Sequence, residues 1–230
     1  MAPPVARFAS LSADRIRALV LPPPLEGSDA QLAELAQVLR LQAQVTVADI
    51  QRAADDVQRA PAAWVQWLLG DSFDAAKHTH AMRLLTDVHD NARVAVGVAN
   101  SSFDFRLRPW VHPQVQALLK SEQTGRERYL ANLAAKRVPL VAGPSSYPSA
   151  RSLATRLWAH TLSELWPEKR EIWFEAARNS AQHRLAVGAH YPSDVTAAVA
   201  IADALWVEIQ NSSAFQSELA AARTEIETRR

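Results

Sequence analysis

The sequence predicts an all-α fold, a helical bundle, on three observations. Apolar residues recur at three- and four-residue intervals along most of the chain. Capping residues and prolines fall where those patterns begin. No stretch alternates apolar and polar residues for long enough to make a strand. The chain has 230 residues and is 48% hydrophobic, enough to bury one substantial core, and no break in composition marks a second domain. The expected organisation is a proline-rich N-terminal arm over 1–27 and a single helical domain over 28–230.

Within the arm, Pro22-Pro23-Pro24 removes three backbone donors and fixes an extended path. Ser28 and Gln31 fit a capping box, and Leu32, Leu35, Val38 and Leu39 follow at helical spacing, so a first helix runs to about Gln42. A second is expected from Val47 to about Arg59. Pro61 opens a third, with Trp64, Trp67 and Leu68. A long amphipathic helix then extends from Phe73 through Met82, Leu85, Val88 and Val96 towards Ala99. His78, His80 and His89 lie on it beside Asp87 and Asp90. No two of these histidines are four residues apart, so they read as solvated or rim side chains and no metal is expected.

After Arg108-Pro109, the spacing predicts a short helix over Pro113–Lys120, a surface loop or frayed helix over Ser121–Arg128, and a loop from Lys136 to Ser146. From Ser149 onward, Leu153, Leu157, Trp158, Leu162, Leu165 and Trp166 mark a helix with one broad buried face. Pro167 opens the next, which turns Trp173, Phe174 and Ala177 inward and ends near His183 and Arg184. Val195 to Ile209 is an apolar helix. Ser213 to Arg229 closes the chain with Phe215, Leu219 and Ile226 as its stripe. The tryptophans are read as core rather than as an oligomer face.

Charge and composition exclude several classes of function. With 25 basic and 24 acidic residues the net charge is +1, so no general field favours nucleic acid or an anionic membrane, and any anion preference must be local. The lack of cysteine rules out disulfides, thiolate catalysis and cysteine-ligated metals, and leaves the compartment undetermined. No apolar run approaches the roughly 20 residues that span a bilayer, and the first residues lack an export-type apolar region.

The chemistry gathers in Gln182–Asp194, where Arg184, His190 and Asp194 stand at spacings of six and four. With a helix from Ser193, His190 lies one turn before Asp194. The carboxylate can then accept one imidazole N–H, leaving the other nitrogen free to attack. Arg184 supplies a fork of donors suited to a phosphate. Ser149 and Arg151 fall in the first turn of their helix, where free N–H groups and the dipole favour an anion.

The pattern Arg-x5-His-x3-Asp resembles the third signature of the phosphatidic acid phosphatase type 2 superfamily. That superfamily includes bacterial class A acid phosphatases and vanadium haloperoxidases. Tyr147-Pro148-Ser149-Ala150-Arg151 sits where the family has Pro-Ser-Gly-His, and Arg106-Leu107-Arg108-Pro109 matches the end of its Lys-x6-Arg-Pro signature. Leu21 to Ser28 resembles the segment that opens mature class A enzymes. The departures are Ser101 for the lysine, Ala150 for glycine, Arg151 for histidine, and His183 for the serine before Arg184.

The resemblance implies the acid phosphatase / vanadium haloperoxidase type of bundle, with His190 as nucleophile and Asp194 as its orienter. Arg108, Arg184, Ser149 and the N–H groups around Ala150 would hold phosphate oxygens, with Arg151 stabilising charge where the family's acid histidine stands. Arg151 cannot deliver a proton near neutrality. His112 and His183 are alternative acids, read as bystanders. The resemblance implies a phosphate monoester or anhydride hydrolase, with a non-hydrolytic phosphate-binding homologue and a vanadate-dependent peroxidase as alternatives. Phosphate or vanadate is the group such a site would take, and no other cofactor is expected. It also implies a small phosphorylated substrate, a periplasmic location with a cytoplasmic one as alternative, and a homo-oligomer.

Overall fold

The computed structural model describes residues 4–70, 73–135 and 145–228. Its described residues form ten α-helices and no strand: α1 (Ala13–Leu19), α2 (Asp29–Gln42), α3 (Val47–Gln58), α4 (Pro61–Leu69), α5 (Thr79–Ser102), α6 (Lys120–Ala134), α7 (Ala150–Leu165), α8 (Arg170–Ala186), α9 (Pro192–Gln210) and α10 (Ser213–Glu227). Most begin as the sequence predicts. Ser28 accepts from the backbone of Gln31, Thr46 and Asp49 cap α3 reciprocally, and prolines stand first in α4 and α9.

The central helix is α7, packed against α5, α8, α9 and α10. Its buried residues include Leu153, Leu157, Trp158, Thr161 and Leu162, so apolar contacts surround it on nearly every side. The main apolar cluster runs from Phe8 to Ile226. Trp64, Trp110, Trp158, Trp166, Trp173 and Trp206 are buried, whereas Trp67 is half exposed beneath the Arg59 guanidinium. Two smaller clusters bracket the segment after α8. One holds Leu35, Val38, Trp110, Val115 and Tyr191; the other holds Ala53, Leu119, Val187 and Ala189. No helix is long and apolar enough among the described residues to cross a membrane.

Three expectations need correction. The arm contains α1, capped by Ser12, and Phe8, Leu11 and Ile16 enter the main core, so this segment is packed rather than a simple lead-in. Residues 113–119 are not helical, and the helix begins at Lys120, where a loop or frayed helix was expected. The long helix starts at Thr79, after a 3₁₀ turn at Ala75–Lys77. The loop expected over Lys136–Pro144 lies outside the described residues.

Candidate active site

Three irregular segments meet at one point, each leading out of or into a helix. Residues 103–109 leave α5, residues 145–149 enter α7, and residues 187–191 join α8 to α9. The first two are stitched by Ser146 N–H donating to the Arg106 carbonyl at 2.9 Å, and the second is tied to the first turn of α9 by Ser149 N–H donating to the Asp194 carbonyl at 3.0 Å. Pro192 stands at the first position of α9 and keeps Tyr191 extended, with φ −88° and ψ 161°.

Gly188 makes the turn out of α8, with φ +75°, and its carbonyl accepts Trp110 N–H at 3.0 Å. A Cβ there would lie 2.6 Å from Val115 Cγ1. Left-handed strain and this clash act together, so Gly188→Ala should destabilise the fold by about 1–3 kcal/mol, read as a lowered urea midpoint at unchanged slope. It should also slow turnover, because the same turn delivers His190.

His190 is buried, with Nδ1 at 2.8 Å from the Ser146 carbonyl oxygen. A carbonyl only accepts, so the ring proton sits on Nδ1 and Nε2 carries the lone pair. Arg108 Nη1 lies 3.0 Å from Nε2 and also donates to the Ala189 carbonyl at 3.0 Å. Burial, and then the Arg108 charge, push the imidazole pKa down to about 4, so the ring is neutral at higher pH.

Asp194 plays a different part from the one the spacing suggested. Its Oδ2 stands 3.5 Å from Nδ1, too long for a good hydrogen bond. That oxygen accepts instead from Tyr191 N–H at 2.8 Å and from the Ser146 hydroxyl. Asp194 therefore fixes the two residues flanking the ring, and the Ser146 carbonyl takes the ring proton. Burial works against its charge, but the facing imidazole, Arg106 and Ser146 hold its pKa below the usual carboxylate range.

Arg106 is the central residue that the sequence reading left unassigned. Its Nη1 donates to Asp194 Oδ1 at 2.5 Å and Ser193 Oγ at 2.7 Å, and its Nη2 to Glu34 Oε2 at 2.6 Å. The guanidinium lies 4.1 Å from the Tyr191 ring centroid. Glu34 in turn accepts Ser193 N–H at 2.6 Å. The available signal was its position two residues before Arg108, which on an extended segment places both on one face. Nothing local in the sequence singles out Glu34.

Beside the imidazole, Arg108 and Arg184 repel each other. Burial and the Arg184 charge push the Arg108 pKa down to about 10. Arg184 is buried, its Nη2 3.9 Å from Glu122 Oε1, and its Nε and Nη1 make no hydrogen bond. Glu122 accepts Leu119 N–H at 3.2 Å as α6 begins, yet burial lifts its pKa to about 7, against the pull of Arg184. Two buried guanidinium groups beside a buried imidazole offer forks of donors of the kind that suits a tetrahedral oxyanion such as phosphate or vanadate. Among the described residues no three metal-ligating side chains converge.

Glu122 makes a pH prediction. Its folded pKa lies above its unfolded value near 4.5, so between about pH 4.5 and 7 the folded state holds a proton the unfolded state has released, and stability falls as pH rises. Glu122→Gln lacks this loss and keeps an acceptor for Leu119. Relative to the wild type it should gain stability across that window, on the order of 3 kcal/mol at most, measured by urea unfolding at a series of pH values.

The remaining expected residues lie at the edge of this centre. Ser149 caps α7, its Oγ 2.9 Å from Ser152 Oγ, and its N–H is taken by Asp194. Ala150 is exposed in the first turn. Arg151 turns towards α3: its Nη1 donates to the Arg59 carbonyl at 3.0 Å and its Nε lies 3.5 Å from Asp56 Oδ2. Ser101 is exposed and donates to the Gly97 carbonyl. His112 accepts a long hydrogen bond from Gln114 N–H, and burial lowers the pKa of His183.

Known protein families offer one point of comparison. The PAP2 superfamily matches residues 92–214, a span that contains Arg106, Arg108, Ser146, Arg184, His190 and Asp194. No curated protein matches the chain.

Proposed function

The chain belongs to the PAP2 superfamily, and on that premise we propose that it hydrolyses phosphate monoesters or anhydrides through a phosphohistidine at His190. Membership itself carries phosphatase-like chemistry on phosphate-containing substrates. The observation that supports the rest is the state of His190: a buried neutral imidazole whose unprotonated Nε2 faces Arg108.

In this reading the Arg108 guanidinium turns from Nε2 to an equatorial phosphate oxygen, and Arg184 Nε and Nη1 take another. The Nε2 lone pair attacks phosphorus in line, the bond to the leaving oxygen breaks, and its electron pair departs with that oxygen. Ser146 keeps the Nδ1 proton in place while the ring becomes cationic, and Asp194 stabilises that charge. Water then attacks the phosphorus, the P–Nε2 bond breaks and returns its electron pair to Nε2, and inorganic phosphate leaves with the protons of the water.

Arg151 stands where the family has its acid histidine, and it is engaged with Asp56 and Arg59. Absence of a general acid costs on the order of 10²- to 10⁴-fold for basic leaving groups. Aryl phosphates, acyl phosphates and anhydrides, whose leaving groups need no proton, are therefore the preferred substrates.

The test is rapid-quench kinetics with p-nitrophenyl phosphate. A burst of p-nitrophenol, matched by acid-labile phosphate on His190, is the expected result. Phosphate binding without turnover would favour the non-hydrolytic homologue, for which the engaged Arg151 is the specific argument. Halide oxidation that requires added vanadate and peroxide would favour the peroxidase.

A further inference from the structure

Glu122 stands where the start of α6 meets the two arginines of the oxyanion centre, and its oxygens have different partners. Oε2 accepts Leu119 N–H and closes the first turn of the helix. Oε1 makes no hydrogen bond and faces the Arg184 guanidinium, with Nη2 3.9 Å away. A helix-capping glutamate ordinarily stands in solvent, whereas this one is buried among cations. Arg184 faces it from α8, Arg108 from the segment after α5, and Arg126 from one turn further along α6. Arg126 is held by the Trp110 and Val115 carbonyls. The other carboxylates that act on Arg108 and Arg184 are Asp194 and Asp56, which have cations of their own in Arg106 and Arg151. Glu122 is left as the carboxylate that answers to this pair of arginines.

An oxyanion would compete with that carboxylate for the same positive charge. Arg108 is less completely buried than Arg184, so an incoming anion meets it first and need not touch Glu122 to act on it. Like charges that share one desolvated site repel, and a buried carboxylate relieves the repulsion by taking a proton. Burial already lifts the Glu122 pKa to about 7, so a small change in local charge switches its state. We propose that Glu122 is the internal counter-ion of the oxyanion centre, taking up a proton when an oxyanion binds at Arg108 and Arg184 and so setting the pH range over which the centre accepts one. This rests on the oxyanion-binding part of the phosphatase reading and not on turnover.

The sign of the effect follows from the two states. With no anion bound, Glu122 is protonated below about pH 7 and ionised above it, and a bound dianion raises its pKa further. At acid pH the proton is already present and affinity is constant. Above about pH 7 binding must draw a proton in, so affinity falls as pH rises, approaching about tenfold per pH unit. Sulfate is the probe, because it stays a dianion throughout, whereas phosphate titrates in the same range. His190 titrates near 4 and Arg108 near 10, outside that range. Isothermal titration of the full chain with sulfate should show a fall in affinity of about tenfold between about pH 7 and 8.5. Repeated near pH 7.5 in buffers of different ionisation enthalpy, it should show uptake of more than about half a proton per sulfate. Glu122→Gln keeps an acceptor for Leu119 but cannot ionise. Its affinity should be flat over this range, with no proton uptake, and about tenfold tighter than the wild type at the alkaline end.

Wild-type affinity that does not change with pH, or a fall and proton uptake that survive in Glu122→Gln, would overturn the proposal while leaving the oxyanion centre intact. Sulfate binding by neither chain would overturn both, since Arg108 and Arg184 would then hold no oxyanion. Thermal denaturation checks that the variant folds. Should it not, the wild-type proton count decides alone, and a count of zero overturns the proposal.

Discussion

His190→Ala is expected to abolish p-nitrophenyl phosphate turnover, by on the order of 10⁴- to 10⁶-fold, as removal of a covalent nucleophile does in other enzymes. The variant should remain folded, since the helices around the site are held by the main core and by the Arg106 ion pairs rather than by the imidazole. Phosphate affinity should be retained or improved, because Arg108 loses a partner with which phosphate must compete. A combined loss of turnover and of phosphate binding would show instead that the ring builds the pocket. A second readout follows from its pKa. Folded His190 titrates near 4 and unfolded histidine near 6.5, so the wild type loses stability as pH falls through that interval. The alanine variant lacks this loss, and its stability relative to the wild type should rise as pH falls from about 6.5 to 4.

Arg106→Ala should be the most destabilising of the single changes at this site. The guanidinium is buried between Asp194 and Glu34, and its removal leaves two carboxylates at low exposure without their shared cation. Breaking a buried pair in this way costs about 3–5 kcal/mol, a large part of the stability of most domains. Urea unfolding reads the loss directly. Arg106→Lys keeps the charge but cannot bridge Asp194, Ser193 and Glu34 with one planar fork, so it should recover only part of it. Turnover should fall in both variants, since Asp194 would no longer fix Ser146 and Tyr191 around the ring.

Much of the bundle was legible because its helices carry their own signals. α7 and α9 are patterned by burial, and Ser28, Thr46 and the prolines mark helix starts without help from distant residues. α1 is hidden because it has seven residues lying among prolines, and what holds it is the core that Ile16 enters. α6 is polar and weakly amphipathic. It is fixed by Glu122 at its start and by Arg126, which donates to the Trp110 and Val115 carbonyls of a loop no local pattern reveals.

The site divides in the same way. The spacing of Arg184, His190 and Asp194 is set within one helix–turn–helix, so it could be read along the chain. The Ser146 carbonyl, Glu122, Glu34 and the inward turn of Arg106 depend on segments far apart in sequence, and Arg151 turns away because Asp56 on α3 meets it.

The reach of Arg106 to Glu34 decides where this chain can be cut. The stretch that carries the family pattern starts at residue 92, yet α2 gives the site a carboxylate at Glu34 and, through Gln31, a hydrogen bond to the Tyr191 hydroxyl at 3.1 Å. A fragment trimmed to the family pattern would retain His190, Arg108 and Arg184 but lose an anchor of the turn that leads from α8 to α9. An expression fragment meant to keep a working centre therefore has to begin upstream of Ser28.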